Sequence, residues 1–328
     1  MSSKKGTEVV ENLKRDSEKG LELAKQIMLS EKIEPLELHR ALEHYIQNWV
    51  NCTHLGLFAM ACEAAGGKIE DAVNVQAAIA LMTASFDIHD DIIDKTKTKN
   101  KISTVYGKYG EELTLLLGNA FLIEGMILFA ESTTIFPKEK ALKILEITKK
   151  LLFEEGNAHS LEVCLKKKKR VNQNEYLKII EMKAAAMEAD LTLGAIFGGA
   201  NDSQIEIFAR LGKVLGILVL LRDELVDVFD IEELRQRLPV NDLPLPLLLA
   251  MQKTKTKAEI NLILSRAKIT QTEVSKLVSL TLDSEPVIEM KKRMQLLIGE
   301  GLELLNKLPK KKPLGKFQAI VSFMLEDL

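Results

Sequence analysis

The chain has 328 residues, 46% hydrophobic and 28% charged, with a formal net charge of −2. That length allows one large domain or two ordinary ones with a sizeable core, and the near-neutral charge excludes a general nucleic-acid binder. Cys52, Cys62 and Cys164 show neither metal-ligand nor pairing spacing, which points to a reducing cytoplasm; the opening MSSKKGTEVVENLKRD has no apolar signal core, and the run Val214–Leu221 is too short to span a membrane.

Apolar residues recur with a period near 3.6, strand-like alternation is almost absent, and only eight prolines interrupt the pattern, so an all-α protein is expected. The predicted helices are Thr7–Leu29, Pro35–Ala65, Ile69–Lys95, Gly110–Glu131, Lys138–Leu165, Asn174–Gly199, Ser203–Phe229, Pro246–Lys253, Lys257–Ser265, Gln271–Leu282, Glu285–Leu308 and Leu314–Leu325. The breaks carry turn chemistry: Gly66-Gly67, Phe136-Pro137, Gly198-Gly199 before Asn201-Asp202, and Leu308-Pro309. No Pro/Ser-rich linker divides the chain, so residues 1–328 are expected to form a single helical domain.

Two stretches carry chemistry. ASFDIHDDIID (Ala84–Asp94) ends an apolar run and holds Asp87, Asp90, Asp91 and Asp94; if it is helical, Asp87, Asp90 or Asp91, and Asp94 stack on one face. LRDELVDVFD (Leu221–Asp230) repeats the arrangement with Asp223, Asp227 and Asp230, Glu224 lying offset beside Asp223. Like charges stacked in this way repel, so each face is either fully wet or binds a cation. Mg²⁺ is the natural candidate, because it takes oxygen ligands and commonly pairs a few carboxylates with substrate phosphates. Solvated helix ends are the plainer alternative for either ladder. Two ladders on two apolar helices suggest acidic walls facing each other across a bundle cavity, able to hold several Mg²⁺ ions around one diphosphate.

At this point the chain resembles the trans-prenyl diphosphate synthases (polyprenyl synthetases) of the class I isoprenoid synthase fold. His89–Asp94, HDDIID, is similar to the first Asp-rich motif at Asp90, Asp91 and Asp94, with Thr104-Val105 and Tyr109-Gly110 following in register. ACEAAGG (Ala61–Gly67), YLKIIEMKAAAM (Tyr176–Met187, with Lys183 at the lysine position), RDELVD (Arg222–Asp227) and DLPLPLLLA (Asp242–Ala250) complete the series in order. The resemblance implies a single large helical bundle with a central cavity. It also implies Mg²⁺ held by Asp90, Asp91, Asp94, Asp223, Glu224 and Asp227, and an allylic prenyl diphosphate that ionises with Lys183 beside the leaving group. Lys99 and Arg222 are weaker candidates for substrate contact, and Ser85 and Phe86 would line the product tunnel one turn before Asp90. Core packing is the alternative for Phe86.

The departures are equally informative. Where the family has a Gly-Gly-Lys-Arg-x-Arg-Pro stretch for isopentenyl diphosphate, this chain has Trp49–Leu55, WVNCTHL, with Asn51, Cys52 and His54 at the cationic positions. Thr83 stands for a histidine, Lys99-Asn100 for an arginine pair and Ala184 for a threonine. Three readings follow. The chain is a divergent synthase that extends an allylic diphosphate with isopentenyl diphosphate, Lys95, Lys97, Lys99 and Lys101 replacing arginines. Or it ionises an allylic diphosphate and cyclises it, eliminates, or transfers the prenyl group to another acceptor. Or it is a non-catalytic or regulatory partner of an active homologue.

Other features read as bland or functional. Lys166–Arg170 is an interhelical turn or a patch for an anionic membrane, and Lys310–Lys312 is a loop before the last helix. His89, Asn157 and His159 tune the site or simply pack, and Cys164 is expected to be a small buried hydrophobe. The resemblance implies a homodimer, or a heteromer with a homologue, with Leu113–Phe129 as the place to look for the interface.

Overall fold

The computed structural model describes residues 4–99, 101–166, 173–231, 234, 243–266, 268–309 and 313–326. Asn100, residues 167–170 of the basic run, Asp242 and Lys310–Lys312 lie outside them. The described residues are almost wholly helical, as the period-3.6 pattern requires, and fall into two compact units.

The first unit comprises Met1–Lys149, Ala189–Phe208 and Lys311–Lys316. It contains α1 (Lys4–Ser30), α2 (Leu36–Asn48), α3 (Thr53–Ala65), α4 (Val73–Ile93), α5 (Val105–Tyr109) and α6 (Glu111–Ser132). A two-stranded antiparallel ribbon, β1 (Thr98–Lys99) with β2 (Ile102–Ser103), links α4 to α5. Most of α4 is apolar all round and therefore buried. It packs along α6, where two glycines let the backbones approach. A Cβ at Gly118 would lie 2.5 Å from His89 Nε2, and one at Gly125 would lie 2.9 Å from Met82 Cγ. Since 118 faces 89 and 125 faces 82, the two helices run in opposite directions. α3 stops at Gly66, whose φ of 116° is left-handed, and the amides of Gly66 and Gly67 close onto Cys62 O.

The helix expected over Pro35–Ala65 is two. Trp49 leaves the helical region (φ −74°, ψ 118°), and its buried indole packs against the rings of Tyr45 and Phe121. A single straight helix would not let Trp49 join this cluster while Thr53–Ala65 buries almost every side chain.

The second unit comprises Lys150–Glu188, Ala209–Lys310 and Phe317–Leu328. The later helices, some of them beginning in the first unit, are α7 (Lys138–Lys166), α8 (Gln173–Lys183), α9 (Ala185–Phe197), α10 (Asp202–Asp227), α11 (Leu245–Ala250), α12 (Thr254–Leu264), α13 (Gln271–Leu282), α14 (Glu285–Asn306) and α15 (Pro313–Phe323). The expected helix Asn174–Gly199 is interrupted at Ala184, where α10 comes close: a Cβ on Gly216 would lie 2.8 Å from Ala184 Cα. Val228, Leu247, Ala250, Ile260, Ile263 and Leu277 form one core of this unit, and Ala158, Leu165 and Ile179 form another.

Two expectations need correction. Cys164 is exposed, and Cys62 is the buried cysteine, its thiol pushed up to about 11 by burial and by the charges of Glu63 and Asp71. A longer apolar segment than Val214–Leu221 is present: Glu111–Ile135 is long and apolar enough by length and composition to cross a membrane, with 33% of its most apolar window buried.

Candidate active site

The first ladder forms the last turns of α4. Asp91 is buried, Asp90 is half-buried, and Asp87 and Asp94 are exposed. Asp94 ends the helix, its amide donating to Asp90 O at 2.8 Å, and Thr96 N closes onto Asp91 O. Burial raises the Asp91 carboxyl, and the charges of Asp90 and Asp94 add to this, while Lys99, with Nζ 2.8 Å from Asp91 Oδ1, opposes it. Lys99 itself is pulled down by burial but raised overall by Asp91, Asp87 and Asp90. Lys99 feels the whole ladder, whereas for Asp91 the loss of water outweighs one cation. Asp87 has solvent contact, yet enough protein surrounds it for desolvation to lead the upward shift of its carboxyl, against Lys99 and His54.

One turn earlier, Ser85 is fully buried with Oγ 3.5 Å from His89 Nδ1, and Phe86 is half-buried. His89 turns its Nε2 inward onto Gly118, where it has no hydrogen-bond partner, so packing is the role this structure gives it.

The stretch at the expected acceptor position is knit into the first unit. Asn51 is buried and donates through Nδ2 to Thr83 Oγ1, and Thr83 Oγ1 donates back to Ile79 O and Ala80 O. His54 Nδ1 lies 2.7 Å from Asp190 Oδ2. Asp190 was missed by sequence reasoning; the available signal was a carboxylate inside the apolar run Ala184–Phe197.

The second ladder ends α10 within the second unit. Asp223 also combines solvent contact with dense surroundings: desolvation and then the charge of Asp227 raise its carboxyl to about 6, against Arg222. Glu224 is differently engaged. Tyr176 Oη donates to its Oε1 at 2.7 Å, and Leu245 N, the first amide of α11, donates to its Oε2 at 2.6 Å. With both oxygens joining α8, α10 and α11, Glu224 acts as a strut in this structure. Arg222 is engaged within the second unit: Nη1 donates to the carbonyls of Phe323, Met324 and Glu326, and the guanidinium stacks 4.6 Å from the Phe323 ring. Lys183 Nζ lies 2.7 Å from Glu162 Oε2, and one turn away on α7 His159 Nε2 lies 3.0 Å from Glu155 Oε1.

The donor set fits a hard divalent cation held in the open way, by a few carboxylates with substrate oxygens and water completing the shell. All the candidate donors are carboxylates, carboxyls in each ladder are raised by burial and like charge, and Lys99 supplies a cation at the first ladder. Among the described residues no three His, Cys, Asp or Glu side chains are grouped closely enough to hold a metal ion by themselves.

Residues 37–281 match the family described as polyprenyl synthetase. The chain is 30% identical over 230 residues to a short chain isoprenyl diphosphate synthase of Methanothermobacter thermautotrophicus, covering 69% of this chain and 68% of that one. It is 25% identical over 210 residues to a geranylgeranyl diphosphate synthase of Methanosarcina mazei, and there spans 64%, less than two thirds, of either chain. A crystal structure of a geranylgeranyl pyrophosphate synthetase from Pyrococcus horikoshii superimposes with a TM-score of 0.82 over 98% of this chain and 99% of that one, at 21% identity, which shows the fold. The profile match and the Methanothermobacter relative together settle the lineage: the chain belongs to the polyprenyl synthetase family.

Proposed function

We propose that the protein is a trans-prenyltransferase of isoprenoid biosynthesis, similar to geranylgeranyl diphosphate synthases, that ionises an allylic prenyl diphosphate with Mg²⁺ and transfers the prenyl group to isopentenyl diphosphate. The carrying observation is the pair of carboxylate ladders ending α4 and α10, with Asp91 and Asp223 both raised by burial and by neighbouring acids. Asp90, Asp91 and Asp94 would hold metal at the first ladder, and Asp223 and Asp227 at the second. Mg²⁺ supplies, when bound, the positive charge that lets a diphosphate depart. Lys183 adds a point charge toward the leaving group, and Ser85 and Phe86 flank the hydrocarbon tail. Breaking the C–O bond leaves an allylic cation; the acceptor's π electrons form the new C–C bond, and a proton is then lost. A single domain over residues 1–328, cytoplasmic and assembled as a homodimer or with a homologue, belongs to this reading; the fold match over 98% of the chain supports the single domain, and three free cysteines suit a reducing compartment.

One observation favours a second reading, an atypical acceptor or reaction of the allylic diphosphate alone. At the acceptor position Asn51 is spent on Thr83, and His54 faces the buried Asp190. An incoming diphosphate would lose several charge-assisted contacts, each worth about 1.5–3 kcal/mol. The test is incubation of purified protein with Mg²⁺ and allylic diphosphates of several lengths, with and without isopentenyl diphosphate. Chain-extended diphosphates establish the first reading, and diphosphate release without isopentenyl diphosphate establishes the second. Turnover only with an added homologue would make the chain a regulatory partner. Activity of Asp91→Asn with full Mg²⁺ dependence would overturn the metal role.

A further inference from the structure

The start of α3 holds an imidazole backed by a buried acid. His54 Nδ1 lies 2.7 Å from Asp190 Oδ2, and the two side chains are 28% and 5% exposed. Both belong to the first unit, Asp190 reaching from α9 to α3. An ionised carboxylate can only accept a hydrogen bond. With Asp190 ionised, the shared proton sits on Nδ1, and Nε2 carries the lone pair of a neutral imidazole. His54 also stands near enough to α4 for its charge to lower the Asp87 carboxyl, one turn before Asp90 and Asp91. The neighbouring positions hold no fixed cation: Asn51 gives its amide to Thr83, and Cys52 is a half-buried free thiol. Even when protonated, His54 offers little to an incoming dianion, because Asp190 already neutralises it. These groups suit a neutral acceptor, and they supply what a hydroxyl nucleophile needs, a base held in one tautomer.

We propose that the acceptor is a neutral hydroxyl compound, an alcohol or water, and that His54 takes its proton as it attacks the allylic carbon. The proposal rests on the second reading above, that of an atypical acceptor. An oxygen lone pair forms the new C–O bond. The bond to the diphosphate breaks, its electron pair leaving on the diphosphate, and the hydroxyl proton passes to His54 Nε2. Asp190 and Asp87 stabilise the imidazolium that forms, which then returns its proton to solvent through the exposed part of the ring. The products are a prenyl ether, or a prenyl alcohol when water attacks, and free diphosphate. Asp190 is a positioning residue, since it acts by fixing the tautomer of His54.

The test uses the full chain with Mg²⁺ and geranylgeranyl diphosphate in heavy-oxygen water. The acceptors offered are isopentenyl diphosphate and isopentenol, which has the same alkene with a hydroxyl in place of the diphosphate. Mass spectrometry should find the ether of isopentenol, or geranylgeraniol labelled from water, and the two products tell an alcohol acceptor from water. His54→Ala should lower this oxygen transfer about a hundredfold or more, and added imidazole should restore part of it. Asp190→Asn should lower it as well, without rescue by imidazole, while nitrogen NMR of the His54 ring shows the proton moved from Nδ1 to Nε2. Circular dichroism checks that each variant folds. Chain-extended diphosphate as the sole product removes the atypical-acceptor reading and this proposal with it. Diphosphate release with only cyclic or eliminated hydrocarbons, or undiminished oxygen transfer by folded His54→Ala, overturns the proposal and leaves that reading standing. No diphosphate release under any of these conditions overturns both.

Discussion

His54 Nδ1 and Asp190 Oδ2 lie 2.7 Å apart, joining the start of α3 to a carboxylate that is 4% exposed. Burial raises the Asp190 carboxyl above its ordinary range, near 3.9, and the charge and hydrogen bond of His54 pull it back down. Because the folded-state value is raised, the stability linked to this proton is fully present in acid and is lost as pH climbs through the folded value. His54→Ala removes the opposing partner, so the carboxyl should rise further and the cost should grow with pH. We expect a loss of about 1–3 kcal/mol in urea unfolding at pH 8 and a clearly smaller one at pH 5. An equal loss at both would show that His54 matters only by its shape.

The exposed face of α6 carries Leu115, Leu116, Ile123, Met126 and Ile127, each about half exposed, on a helix whose other side packs against α4. A contiguous apolar face of this kind marks an association surface. The proposed dimer predicts that Ile123→Glu together with Met126→Glu halves the mass seen by light scattering, with helicity unchanged. A wild-type mass that already corresponds to one chain would remove α6 as the interface.

Much of this was legible in the sequence, and what was not has physical causes. Both ladders could be read because Asp90 with Asp94 and Asp223 with Asp227 repeat at four residues behind apolar runs, a local pattern. The break at Trp49 could not, because it depends on Tyr45 and on Phe121, 72 residues further on in the chain, so a helical period ran straight through it. The ribbon holding Lys99 escaped because each strand has two residues and its geometry rests on left-handed lysines, which no propensity favours. Glu224 and Arg222 were read from the likeness of RDELVD to the family's second motif; their contacts with Tyr176, Leu245 and Phe323 reach residues distant in sequence, which the motif could not show, and a helix turns Glu224 about 100° from Asp223.

Glu224 offers a direct check of that distinction. Glutamine keeps one acceptor oxygen, so Glu224→Gln should lose roughly one hydrogen bond, about 1 kcal/mol, from the set made with Tyr176 and Leu245. Glu224→Ala strips both and leaves the first amide of α11 bare, which should cost about 2–3 kcal/mol. Neither change should move Mn²⁺ affinity more than about twofold, whereas Asp223→Asn should weaken it by roughly tenfold or more, as expected for loss of a ligand. Glu224→Gln behaving like Asp223→Asn would return Glu224 to the metal.

Arg222 fastens the end of the chain. One nitrogen with two protons serves three carbonyls, those of Phe323, Met324 and Glu326, so the bonds are shared, and the stacked Phe323 ring adds a cation–π contact. These carbonyls belong to the last turn of α15 and the residues just after it, where a helix leaves acceptors unsatisfied and its dipole favours a cation. Arg222→Ala should therefore cost about 2–3 kcal/mol and raise hydrogen exchange over residues 318–326. Lysine retains the charge but neither the planar fork nor its stacking, so Arg222→Lys should recover less than half of the loss. Because Arg222 lowers the Asp223 carboxyl, either change that removes or displaces the guanidinium should also raise the pH at which Asp223 ionises, readable by carboxyl NMR. Unchanged exchange at the C-terminus in Arg222→Ala would mean that α15 holds its end by packing alone, through Phe317, Val321 and their neighbours.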